Sequence, residues 1–153
     1  MRSKGKSAGI VTLILDAVKG IIPILYGLRH FDSPVLLVSG GAAVILGHLF
    51  PLYLKFKGGK GIASFLGVLL VFHFPSAAAF GAAFLVTFYF CRYVSAGSIA
   101  GVNAAFFIIL FTQVPDVSMI VFSIVVLITI KHRANIKRII DGTENQLIWK
   151  KNG

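Results

Sequence analysis

Long apolar blocks are the feature that most constrains the fold of this chain. Hydrophobic residues make up 57% of its 153 residues, and the mean hydropathy is +0.89, whereas soluble domains are about 45–50% apolar. The apolar residues occur in runs close to the roughly 20 residues that a helix needs to cross a bilayer. We therefore expect an all-α integral membrane protein, a compact bundle of spans joined by short loops.

The middle of the chain decides how many spans there are. Residues 62–91 contain no charged side chain, but 30 residues of helix would reach about 45 Å, well beyond the roughly 30 Å hydrocarbon core. The segment His73-Phe74-Pro75-Ser76 favours a break, since proline restricts the residue before it and starts helices well. Six spans are predicted, at about Ser7–Leu28, Val35–Leu54, two within residues 62–91 that are separated at residues 73–76, Val94–Phe111 and Val117–Ile130.

The distribution of basic residues supports two spans in the middle of the chain. With this topology, every Lys and Arg except Arg29 and Lys19 falls on one side of the membrane. Positively charged loops favour the cytoplasmic side. Both termini and the loop at residues 55–61 are therefore predicted to be cytoplasmic.

Net charge narrows the possible partners. The formal net charge is +10, and the charges cluster between apolar blocks, so anionic lipid head groups and anionic substrates are the expected partners. No basic, aromatic-interleaved soluble module predicts nucleic-acid binding. The single cysteine, Cys91, cannot build a disulfide or a thiolate metal site within one chain. No metal or cofactor is expected, and the sequence leaves the oligomeric state open.

A glycine-rich basic stretch, Gly47–Gly61, stands out from its apolar surroundings. Glycines let backbone amides approach an oxyanion, and a helix starting near Ile62 would point its first amides at the same place. The pattern is not a Walker loop, because the first glycine position of that motif is Leu54 and Gly61 follows the lysine. A phosphate cradle and a flexible basic loop at lipid head groups both remain open.

Two further groups of polar residues interrupt the apolar pattern. Asp16 and Lys19 are three apart in the first span and are therefore neighbours on one helical face; we interpret them as a structural ion pair. Residues 131–144 carry an isoleucine stripe among basic residues, which predicts an amphipathic interfacial helix. This helix could anchor the chain on anionic lipid or form a second wall of an anion site.

These segments resemble the signatures of the PlsY family of bacterial membrane acyltransferases. The stretch Gly47–Gly61 is similar to G-H-x-x-P-x-x-L-x-F-K-G-G-K-G, and residues 132–144 resemble H-R-x-N-I-x-R-x-x-x-G-x-E. Asp16 to Pro23 resembles the family's D-x-x-K-G-x-x-P span, and Arg92-Tyr93-Val94-Ser95 its R-Y-V-S turn. The family's S-G-N-x-G-A-T-N segment and the span before it are not in this sequence. We expect one membrane-embedded acyltransferase domain over residues 1–153, shortened at its N-terminus relative to the family pattern.

The resemblance implies transfer of a fatty acyl group from acyl phosphate to the 1-hydroxyl of glycerol 3-phosphate. The products would be lysophosphatidic acid and inorganic phosphate, in bacterial phospholipid synthesis. A catalytically inactive or truncated membrane copy and a small anion transporter remain as alternatives. An acyl phosphate is already activated, so no enzyme nucleophile is required, but the attacking hydroxyl needs a proton acceptor.

Specific roles follow as hypotheses. Lys60 and the glycine amides would hold the acyl-phosphate phosphate, Arg2, His132 and Asn135 would lie nearer glycerol 3-phosphate, Ser95 would orient a phosphate, and Glu144 would pair with a basic residue. His48 and His132 are the candidate proton acceptors by residue type, and the substrate's own phosphate is a third. The expected catalytic residues are His48, Lys60, His132 and Asn135, and the expected substrate-binding residues are Arg2, Gly58, Gly59, Gly61, Ser95, Arg133 and Glu144.

Overall fold

A computed structural model describes residues 6–56 and 58–146. Arg2 lies outside the described residues. The described part is all-helical, as predicted, with a short 3-10 helix at Leu52–Leu54. The α-helices are α1 (Lys6–His30), α2 (Pro34–Leu49), α3 (Ile62–Phe72), α4 (Phe74–Cys91), α5 (Val94–Thr112), α6 (Pro115–Lys131) and α7 (Arg133–Ile140).

The six apolar helices follow the predicted order, but they differ in length. Four stretches are long and apolar enough to cross a membrane, and a fifth qualifies if α6 and α7 are taken as one bent span. Helix α3 has 11 residues, which is about 16 Å of helix against a core of roughly 30 Å. The prediction of about six spans therefore holds for the helices, whereas α3 is shorter than a full crossing.

Proline sets two of the helix boundaries. The break at His73 separates α3 from α4 as predicted, and Pro75 lies in the first turn of α4. The second block ends as a regular helix at Leu49 rather than at Leu54, since Pro51 cannot donate a helical hydrogen bond. The chain then turns through the 3-10 helix into the glycine-rich stretch.

Small residues allow the helices to approach closely. A Cβ atom on Gly20 would lie 2.2 Å from the carbonyl oxygen of Ser64, and one on Gly67 would lie 2.1 Å from the carbonyl oxygen of Ala17. Helices α1 and α3 therefore cross with their backbones in contact, as small residues permit in membrane helices. This crossing places the start of α3 beside the middle of α1.

The C-terminal helix lies across one end of the bundle. Helix α7 is bent by 52° from α6 and ends at Ile140, two residues before Gly142, whose φ is +69°. The Thr143 amide donates to the Arg138 carbonyl at 2.7 Å, and the Gly142 amide donates to the Ile139 carbonyl at 3.1 Å. This pair of bonds is a Schellman cap, which requires a left-handed residue that glycine adopts without strain. The cap reverses the chain and returns Glu144 to α7.

Candidate functional site

The glycine segment Gly58–Gly61, called the glycine loop below, joins the 3-10 helix to α3. A Cβ atom on Gly58 would lie 2.1 Å from the His48 carbonyl oxygen, so only glycine fits there. Gly61 caps α3 with a φ of +81°, and the first amides of α3 beyond it lack helical acceptors. Helix N-termini attract anions, and the side chain of Lys60 adds a positive charge beside the start of α3. Together they form a positively charged corner.

His48 packs against the glycine loop. Its carbonyl accepts a hydrogen bond from the Gly59 amide at 3.2 Å, so this amide is already engaged within the protein. A Cβ atom on Gly59 would lie 2.1 Å from the His48 Nε2 atom. On its other side, the Nδ1 atom of His48 lies 3.5 Å from both Asp16 Oδ1 and Lys19 Nζ.

Glu144 is the centre of a second wall, called the C-terminal wall below and made of Ser95, Asn135, Arg138 and Glu144. One carboxylate oxygen of Glu144 accepts hydrogen bonds from Ser95 Oγ at 2.7 Å and from Asn135 Nδ2 at 2.6 Å. The other accepts from Arg138 Nε at 2.7 Å, which is also an ion pair. The wall thus joins α5, α7 and the segment after α7.

The electrostatics of the wall favour a charged Glu144. Burial alone would raise the pKa of its carboxyl group, but the hydrogen bonds from Ser95, Asn135 and Arg138 outweigh burial and lower the pKa to about 2. Burial lowers the pKa of the Lys60 ammonium group. The negative charge of Glu144 raises this pKa, and the positive charge of Arg138 lowers it. Lys60 therefore lies within electrostatic reach of the C-terminal wall.

His132 lies between α6 and α7 and is 1% exposed. Its Nδ1 atom lies 2.8 Å from the Ile128 carbonyl oxygen. A carbonyl can only accept, so Nδ1 carries the proton in the neutral ring and Nε2 is left able to accept one. The protonated nitrogen of His48 is not defined in this way, because its Nδ1 lies close to both a carboxylate and an ammonium group.

Lys131 links the end of α6 to the end of α2. Its Nζ atom donates to the Leu49 carbonyl at 2.5 Å and lies 4.2 Å from the centroid of the Phe50 ring. The carbonyl is one of those that the end of α2 leaves without a helical partner. Because Lys131 directly precedes His132, this bond ties the end of α2 to the last residue of α6, next to His132.

The structure brings most of the predicted site residues to one end of the bundle. Ser95 contacts Glu144, and the basic residue that pairs with Glu144 is Arg138. Arg133 is exposed. Asn135 and Arg138 are three apart and share a face of α7, whereas Arg133 does not. The spacing groups these two residues, but only the reversal of the chain after α7 brings Glu144 to that face.

Lys131 and the contacts of Asp16 were also missed by the sequence interpretation. No local pattern identifies Leu49, 82 positions away, as the acceptor of Lys131. The ion pair between Asp16 and Lys19 is present, at 2.5 Å, but its contact with His48 was not foreseen. Within residues 6–56 and 58–146, no group of three or more His, Cys, Asp or Glu side chains is arranged to hold a metal ion.

The sequence of this chain is similar to those of known proteins. A family model described as glycerol-3-phosphate acyltransferase matches residues 1–142. A relative named glycerol-3-phosphate acyltransferase from Endomicrobium trichonymphae is 43% identical over 156 residues, covering 98% of this chain and 76% of the relative. One of the same name from Legionella pneumophila (strain Corby) is 35% identical over 151 residues, covering 98% of this chain and 54% of the relative. The chain therefore spans about half the length of the Legionella relative.

Two solved structures share the fold. Both are crystal structures of PlsY, described as an integral membrane glycerol 3-phosphate acyltransferase. The glycerol 3-phosphate form superposes with a TM-score of 0.88 at 35% identity, covering 96% of this chain and 74% of that one. The lysophosphatidic acid form superposes with a TM-score of 0.87 at 35% identity, covering 96% and 76%.

Proposed function

Because this chain belongs to the glycerol-3-phosphate acyltransferase family, we propose that it transfers a fatty acyl group from acyl phosphate to the 1-hydroxyl of glycerol 3-phosphate. The products are lysophosphatidic acid and inorganic phosphate. The observation that carries the proposal is that Gly61 lies against α6, where an added Cβ would be 3.5 Å from Ile128, with Lys60 within electrostatic reach of Glu144. Both substrates carry phosphate groups, and this corner supplies fixed positive charge and helix N-terminal amides.

The reaction needs electrostatic stabilisation more than covalent catalysis. The substrate hydroxyl oxygen bonds to the acyl carbon, the bond from that carbon to the phosphate oxygen breaks, and phosphate leaves with the electron pair. Negative charge develops on the acyl carbonyl oxygen and on the leaving group, and Lys60 is placed to oppose it. The first amides of α3 support Lys60 in this role.

The proton of the attacking hydroxyl requires an acceptor. His132 is the better candidate of the two histidines, since its bond to the Ile128 carbonyl leaves Nε2 free to take the proton. Asn135 lies on the same helical surface and donates to Glu144, which holds this region of α7 in place. Arg2 remains a proposed contact of glycerol 3-phosphate, and Arg133 a proposed contact of a substrate phosphate.

We further propose that the site opens on the cytoplasmic face of the bacterial inner membrane. The distribution of Lys and Arg supports this orientation, because cytoplasmic loops are rich in these residues. The apolar surfaces of the helices would then accommodate the acyl chain of acyl phosphate within the bilayer. Glycerol 3-phosphate would reach the site from the aqueous side.

Phosphate release from acyl phosphate tests the proposal directly. The purified chain in lipid nanodiscs is expected to release phosphate only when glycerol 3-phosphate is added, with lysophosphatidic acid detected by mass spectrometry. Lys60→Ala should lower kcat/KM by about 10²–10³-fold, the range for loss of one preorganised charge-stabilising group.

Lys137→Ala is the matched control, because Lys137 is exposed on α7 and belongs to neither wall. It should retain the activity of the parent chain. No release by the folded parent chain, or equal release by the parent and Lys60→Ala, would contradict the proposed function and favour a catalytically inactive copy.

A further inference from the structure

The proposed reaction leaves one charged cluster, on α1 beside the end of α2, without a role. Asp16 and Lys19 pair on α1, and the side chains of Asp16 and His48 are 17% and 16% exposed. Charges within a membrane span are costly, and those that persist are commonly paired and functional. The ion pair alone accounts for Lys19, but it does not explain why Asp16 also faces His48.

His48 lies between this cluster and the glycine loop. Nδ1 of His48 has a partner in either protonation state, since a protonated Nδ1 can donate to Asp16 and a bare one can accept from Lys19. The opposite edge of the ring faces Gly59, where an added Cβ would lie 2.1 Å from Nε2. The imidazole is therefore wedged between α1 and the glycine loop.

The backbone of His48 reinforces the same contact. Its carbonyl accepts from the Gly59 amide, and the close approach of Gly58 to this carbonyl keeps the loop against the end of α2. Lys131 holds the next carbonyl, that of Leu49. A shift of the His48 ring would thus move Gly59, which directly precedes Lys60.

We propose that Asp16 is a positioning residue that holds His48 against Gly59 and thereby sets the place of Lys60 and of the start of α3. In this arrangement His48 supports the glycine loop and does not act as the proton acceptor. The inference rests on the proposed function for its catalytic consequence. The structural link from α1 to the glycine loop can be measured by amide hydrogen exchange, which does not require enzymatic activity.

Amide hydrogen exchange of the glycine loop tests this link. Asp16→Asn keeps the size of the side chain but removes its charge, so the ion pair with Lys19 is lost, the acceptor beside His48 Nδ1 is weakened, and the ring can move off Gly59. Exchange in a peptide containing Gly58–Gly61 should become about tenfold faster, while peptides from α4 and α5 stay unchanged. Asp32→Asn makes the same chemical change at an exposed site outside the helices and should leave this exchange unaltered.

Kinetics provide the second readout. Asp16→Asn should raise the KM for acyl phosphate about tenfold with a smaller change in kcat, as expected for a displaced binding loop, and Asp16→Glu should recover most of the loss. Unchanged loop exchange in Asp16→Asn, or equally faster exchange throughout the bundle, would overturn the proposal. If the parent chain releases no phosphate, the proposed function fails, and the exchange result alone decides the role of Asp16.

Discussion

At the scale of single residues, Glu144 holds three parts of the chain together. Its carboxylate accepts from Ser95 at the start of α5, from Asn135 in α7 and from Arg138 one turn of α7 further on. Its side chain is 9% exposed, and hydrogen bonds to a buried charge are stronger than those between neutral groups. Glu144 is therefore a structural anchor for the site rather than a group that exchanges protons during the reaction.

We expect Glu144→Gln to destabilise the folded protein at neutral pH. A glutamine amide presents one acceptor oxygen instead of two, so at least one of the three donors loses its partner. The fall in the pKa of Glu144 from 4.5 to about 2 corresponds to about 3 kcal/mol. Thermal unfolding in detergent, followed by circular dichroism, measures the effect.

The destabilisation caused by Glu144→Gln should depend on pH. Because the folded pKa of Glu144 is lowered, its stabilisation is complete above about pH 4.5 and is lost as the pH falls from there through about 2. The difference in unfolding temperature between the parent chain and Glu144→Gln should shrink over that range. Asp141→Asn, which alters an exposed carboxylate nearby, should show no such difference. Equal unfolding temperatures of the parent chain and Glu144→Gln at pH 7 would show that the charge of Glu144 does not stabilise the fold.

Sequence reasoning at this scale relied on topology, which puts the glycine-rich stretch and residues 131–144 on one side of the membrane. Lys60, His132, Asn135 and Glu144 were predicted in one region, and the structure brings them to one end of the bundle. Their catalytic roles stay predictions. Arg138 was not chosen as the partner of Glu144, because the direction of a side chain on a short helix depends on which face that helix buries.

At the scale of elements, α3 connects the interior of the bundle to the site. It begins at Gly61, directly after Lys60, and it crosses α1 through Gly67 and Gly20. With only 11 residues, α3 has little intrinsic stability, so its position depends on packing. The glycine crossing therefore sets where the first amides of α3 lie.

Gly67→Ala should separate α1 from α3. The new Cβ would meet the Ala17 carbonyl oxygen at 2.1 Å, a contact with backbone that no rotamer can relieve, and overpacking of this kind costs about 1–3 kcal/mol. We expect a lower unfolding temperature together with a loss of acyl transfer. Thermal unfolding and phosphate release measure the two effects.

Gly81→Ala is the control for this substitution. Gly81 lies in α4, where an added Cβ meets nothing within 4 Å, so the change should be neutral or slightly stabilising. Equal unfolding temperatures for Gly67→Ala and Gly81→Ala would show that the close crossing of α1 and α3 is not important for stability.

At the scale of the whole molecule, the glycine loop and the C-terminal wall share one end of the bundle. Lys131 joins the end of α2 to the end of α6, and Ser95 joins the start of α5 to the segment after α7. The turn before α6 lies at the other end, one helix length away. This arrangement agrees with the alternation of helices along the chain and makes the orientation in the membrane testable.

Cysteine labelling in intact bacterial cells should report that orientation. In a Cys91→Ser background, Asp116→Cys should react with a membrane-impermeant maleimide, whereas Asp141→Cys should react only after the cells are opened, because basic loops favour the cytoplasm. Both aspartates are exposed in the structure, so burial does not account for a difference. The reverse pattern would place the site on the outer face.

The sequence by itself determined the all-helical membrane fold, the order of the apolar helices and the two polar segments of the site. Hydrophobic length and the spacing of glycine, proline and charge are local properties, which a linear chain displays directly. Only the tertiary structure decided that Asp16 meets His48, that Lys131 holds the carbonyl of Leu49, and that Arg138 pairs with Glu144. The first two depend on how helices distant in sequence pack together, and the third on the turn that Gly142 makes after α7.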